Sequence, residues 1–147
     1  VVAAVDARCR RRGFAPGPSG GWVDDAVLTL GPGPIGPQLA RLNPTTAAVV
    51  AELVLWRLAP DAVGDLAKRM VPGTALVFLE PTADLGWRRL VHRLGRVALR
   101  DRYGHDFEAD VPAALRAAGL VVTTTDRFGL GPMGIRSYVW GVAEHFP

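Results

Sequence analysis

Apolar residues in this chain fall into two rhythms. Short runs rich in Val, Leu and Ala occur at Val1–Asp6, Ala26–Leu30, Ala47–Leu53, Ala75–Leu79, Leu120–Asp126 and Ile135–Ala143. Their length and β-branched content predict buried strands. Between them the spacing becomes helical. Val63, Leu66, Ala67 and Met70 share one face of a helix over Pro60–Met70, with Pro60 in the first turn. A second helix, Leu85–Arg100, carries a stripe of Leu and Val opposite Arg88, Arg89, His92, Arg93, Arg96 and Arg100. A third opens at Asp110-Val111-Pro112 and closes at Gly119. Ala7–Phe14 reads as a brief basic helix, and Gln38–Leu42 as one helical turn before Asn43-Pro44. Gly and Pro make loops of Ala15–Gly21 and Gly31–Pro37.

Two strands joined by a crossover helix, as Ala47–Leu53 and Ala75–Leu79 are, pair in parallel. The last two strands are close enough to form an antiparallel hairpin. The predicted fold class is therefore α/β: a doubly wound, mostly parallel sheet with a C-terminal antiparallel hairpin. One domain over residues 1–147 accommodates it, and in such sheets ligands bind outside the carboxyl ends of the strands.

Composition narrows the field. The chain is 49% apolar and 21% charged, which is globular, and no apolar run reaches the roughly 18 residues of a membrane span. The single cysteine, Cys9, excludes an internal disulfide framework and a cysteine metal cluster. VVAAV precedes RCRRR, the reverse of a secretory leader, so a cytoplasmic setting is expected. The net charge is +3, and 17 basic residues less the one lysine, Lys68, leaves 16 arginines. That bias fits a GC-rich coding sequence better than a nucleic-acid footprint, and Arg10–Arg12 read as a solvated helix face.

The stretch Arg69-Met70-Val71-Pro72-Gly73-Thr74, followed by Leu76, Phe78 and Glu80, resembles the middle of the class I S-adenosylmethionine-dependent methyltransferases. There an apolar strand and a helix ending in R-x-L-x-P-G-G precede L-x-F-x-E. Thr74 departs from the pattern at the second glycine. The resemblance implies a Rossmann-like fold, S-adenosyl-L-methionine as cofactor, and methyl transfer to a small-molecule acceptor. It also implies roles for particular residues. Asp6 matches the acid that ends the second strand and accepts both ribose hydroxyls, although it serves equally as a helix cap. Ala51, Glu52 and Leu53 match the strand end lining the methionine side of the pocket, or simply pack and cap that strand. His105, within Asp101–Phe107, is a candidate general base or a solvated loop residue.

Some expected parts of the family pattern are absent. Neither Pro32-Gly33 nor Ile35-Gly36 supplies the acid that pairs with adenine. The family's first strand and glycine-rich loop would precede Val1, so the chain reads as the carboxyl-terminal two-thirds of such a domain. That reading leaves a slot beside the Ala47 strand. A rival register makes Val27–Leu30 the first strand, with Gly31, Gly33 and Gly36 cradling the cofactor. Under it the next strand ends near Glu52 at the right distance, but Leu66–Pro81 then matches badly, since that segment belongs directly after the central strand, and Pro32, Pro34 and Pro37 make a poor helix start. Two other functions stay open. One is a non-catalytic interaction module with a degenerate cofactor site. The other is an unrelated α/β nucleotide-binding protein using Gly31–Gly36.

Overall fold

A computed structural model describes residues 2–11, 26–82, 110–130 and 136–145. Five strands form one sheet: β1 (Val27–Leu30), β2 (Ala48–Glu52), β3 (Ala75–Pro81), β4 (Val121–Leu130) and β5 (Arg136–Glu144). Their order across the sheet is β1-β2-β3-β5-β4. The first three pair in parallel, and β5 runs antiparallel to both β3 and β4. This is a Rossmann-like α/β sheet with a C-terminal antiparallel pair, as the sequence pattern implies.

Helices cover both faces. α1 (Val2–Arg11) lies on one, where Val5 and Cys9 pack against Ala47, Ala48, Val50 and Val77. On the other face, α2 (Ile35–Leu39), α3 (Pro60–Arg69) and α4 (Val111–Ala117) enclose the larger core around Leu30, Val49, Ala51, Leu76 and Phe78. Asp110 caps α4 as expected, accepting from the Ala113 amide at 3.1 Å.

The β2–α3–β3 unit shows how local sequence builds this frame. Val63, Leu66 and Ala67 are buried against the sheet, as their spacing predicts. Val71–Thr74 then closes a turn in which the Thr74 amide donates to the Val71 carbonyl at 2.9 Å. Gly73 takes φ 85° there, a conformation that favours glycine. Thr74, the departure from the family pattern, is fully buried, and its hydroxyl donates to the Thr46 carbonyl at 3.0 Å. The substitution thus ties the start of β3 to the start of β2. A second glycine, Gly141 on β5, is required by space: a Cβ there would meet the Thr124 carbonyl at 2.5 Å and the Phe78 ring at 2.6 Å.

The opening segment corrects the sequence reading. Val1–Asp6 is predicted as a strand, yet Val2–Arg11 is helical. Val5 and Cys9, four residues apart, are buried while Ala3, Ala7 and Arg10 are exposed, which is a helical period. Small Ala47 and Ala48 on the sheet leave room for that helix. Asp6 therefore does not end a strand. The expected slot beside β2 is also filled, because Val27–Leu30 pairs directly with Ala48–Ala51. Pro34 and Pro37 likewise do not prevent a short helix at Ile35–Leu39. They fall before it and in its first turn, where an N–H has no helical partner. The predicted helix Leu85–Arg100 lies outside the described residues.

Candidate functional site at the carboxyl edge of the parallel strands

The carboxyl ends of β1, β2 and β3 lie side by side, with Leu30 in register with Ala51 and Glu52 with Leu79. Each strand leaves this edge differently. After β1 the chain turns through Gly31–Pro34 and is held by one side chain. The Gly31 amide donates to Gln38 Oε1 at 2.7 Å, and Gln38 Nε2 donates to the carbonyls of Gly31 and Pro34 at 3.1 and 3.2 Å. In the seven residues Gly31–Pro37, three prolines leave four amides, and Gly31's is already engaged.

After β2 the chain reverses sharply. Glu52 is the exposed last residue of the strand, and alternation assigns it to the α1 face with Ala48 and Val50. Leu53 follows with φ 56°, the only positive φ at a non-glycine among the described residues. That conformation costs a leucine about 1 kcal/mol. Its amide donates to the Leu79 carbonyl at 2.9 Å, and the Trp56 indole donates to the Leu53 carbonyl at 3.1 Å. The Arg57 guanidinium sits 4.7 Å from the centre of the Trp56 ring.

After β3 comes the group that receives the reversed chain. Glu80 is fully buried, and its Oε1 accepts from the amides of Val54 and Leu55 at 3.0 and 2.9 Å. Its Oε2 accepts a longer bond, 3.4 Å, from the Trp56 amide. These amides begin the 3-10 turn Leu55–Arg57. Burial pushes the Glu80 carboxyl up to about 7, against the lowering effect of the three amides and of Arg57. Burial also raises the Cys9 thiol, with a smaller push from Asp6.

The candidate residues fare differently. Glu52 and Leu53 stand at the carboxyl tip of β2, while Ala51 is buried in the core. Asp6 lies within α1, and His105 falls outside the described residues. Among the described residues no group of three or more His, Cys, Asp or Glu is placed to hold a metal. No helix among them is long and apolar enough to cross a membrane. The roles of Glu80 as a clamp and of Gln38 as a loop closure escape sequence reasoning. The available signal for Gln38 is a polar side chain following a loop too rich in proline to bond itself.

No protein-family model matches the chain, and no curated protein does. Among solved structures, it is similar to the N-methyltransferase NodS from Bradyrhizobium japonicum WM9 bound to S-adenosyl-L-homocysteine. Identity is 19%, coverage 67% of this chain and 45% of that one, and TM-score 0.44. Human N-acetylserotonin methyltransferase in complex with SAM matches at 16% identity, covering 68% and 29%, with TM-score 0.41. An O-methyltransferase family protein from Burkholderia thailandensis matches at 18%, covering 67% and 30%, with TM-score 0.41. The chain thus spans about half or less of each of these structures.

Proposed function

We propose that this chain carries the cofactor-binding edge of an S-adenosyl-L-methionine-dependent methyltransferase acting on a small molecule. One observation carries the reading. β1, the Gly31–Gly36 loop, α2 and β2 form a strand-loop-helix-strand unit whose neighbouring parallel strand ends in an exposed acid, Glu52. That is the context in which a glycine-rich loop meets a nucleoside and a carboxylate accepts from its ribose hydroxyls. The unit supports the register in which Val27–Leu30 serves as the glycine-loop strand. In this reading Glu52, not Asp6, is the ribose acceptor, and the Leu53 carbonyl and Trp56 flank the crevice.

The same loop argues against a phosphorylated nucleotide. Pro32, Pro34 and Pro37 offer no N–H, and Gln38 occupies that of Gly31, so a pyrophosphate would meet only the amides of Gly33, Ile35 and Gly36. A sulfonium nucleoside has no phosphate and needs none. When bound, S-adenosylmethionine supplies an electrophilic methyl group. The chain's part is to hold the nucleoside at Glu52 and to exclude water, since such transfers draw on positioning rather than on a dedicated acid or base. His105 and the basic segment Leu85–Arg100 are the proposed acceptor-side elements.

A second reading is a methyltransferase-like interaction module without catalysis. The self-satisfied polar groups favour it: Gln38 closes the loop, and Glu80 is occupied by backbone. Calorimetric titration with S-adenosylhomocysteine separates the two. The first reading expects one site per chain, weakened about tenfold or more in Glu52→Gln, with no binding of NAD. Absence of any binding supports the second.

A further inference from the structure

We propose that Glu80 is the positioning residue of this edge: by gripping the amides of Val54, Leu55 and Trp56 it holds Leu53 in its left-handed conformation and so aims Glu52 at the crevice. The inference deepens the functional reading above and rests on it for the ligand, though not for the grip. A carboxylate is seldom fully buried, and here three backbone amides donate to it. The bonded residues lie 24 to 26 positions away, on the chain that immediately follows the crevice residues. Leu53 sits between a strand fixed to Leu79 and a turn fixed to Glu80, so its backbone is determined from both sides.

The charged group acting on Glu80 is Arg57, from the turn itself. On β2, the nearest acid is Glu52, which pairs with Leu79 and so belongs to the opposite sheet face. The strand packed against β3 on its other side places Val139 opposite Glu80, an apolar neighbour. The nearby helix α4 presents buried Val111 and Leu115, with exposed Asp110 and Arg116 at its ends.

Proton–nitrogen NMR across pH tests the grip in the full chain. The amides of Val54, Leu55 and Trp56 should titrate together with a midpoint near 7, and that common transition should vanish in Glu80→Gln. Gln keeps an acceptor for Val54 and Leu55 but turns an N–H toward Trp56, so the Trp56 amide should move most. In the same variant, S-adenosylhomocysteine affinity should fall about tenfold or more. Amides that do not titrate together, or a Glu80→Gln spectrum and affinity like those of the native chain, overturn the proposal. Should the native chain bind no S-adenosylhomocysteine, the cofactor reading fails, and the amide titration still decides the grip. Should Glu80→Gln not fold, the native titration alone decides it.

Discussion

The two ends of the β2–β3 pair solve the same problem in opposite ways. At the amino end, the turn is relaxed. Gly73 adopts its positive φ without steric cost, and the neutral Thr74 hydroxyl ties the strands together. At the carboxyl end, a leucine is forced into a left-handed conformation and a buried carboxyl holds the chain there. The first arrangement is stable at any ordinary pH. The second stores strain and an ionisable group at the edge where parallel sheets bind ligands. Structure is built at one end, and the proposed function belongs to the other.

The comparison is broken most severely by Glu80→Ala. Three amides would lose their acceptor inside the protein, so urea unfolding at pH 7 should show a loss of about 3 kcal/mol or more. Acidity probes the same end without mutation. The Glu80 carboxyl moves from an ordinary 4.5 to about 7, so the native state holds its proton more tightly than the unfolded chain. Its contribution to stability is complete below 4.5 and is lost as pH rises through 7, about 3 kcal/mol across that window. Unfolding free energies measured between pH 4 and 8 in native and Glu80→Gln chains should differ by that slope. At the amino end, Thr74→Val should cost only about 1 kcal/mol, with no change in pH dependence. The smallest effect is expected from Asp6→Ala, which should leave ligand affinity unchanged because Asp6 stands in α1 rather than at a strand tip.

Much of the frame is legible in the residues themselves. Val63, Leu66 and Ala67 announce α3, Pro72-Gly73 announces the turn into β3, and the closeness of the last two strands announces their pairing. Val1–Asp6 misleads because a β-branched run of that length suits either strand or helix. The choice is made by Ala47 and Ala48, forty residues downstream, which leave room for Val5 and Cys9. Which strand lies beside β2 is equally non-local, since nothing within Val27–Leu30 encodes its neighbour. Of the candidate site, only the position of Glu52 and Leu53 at a strand end is visible. The strain at Leu53 and the clamp at Glu80 are not, because they exist only once the chain has folded back on itself.

Chemical-shift mapping with S-adenosylhomocysteine locates a bound nucleoside on this sheet residue by residue. Perturbed amides should be confined to Gly31–Gly36 and Glu52–Trp56, at the tips of β1 and β2. Perturbations centred on α1 around Asp6, with those two segments silent, would contradict that placement.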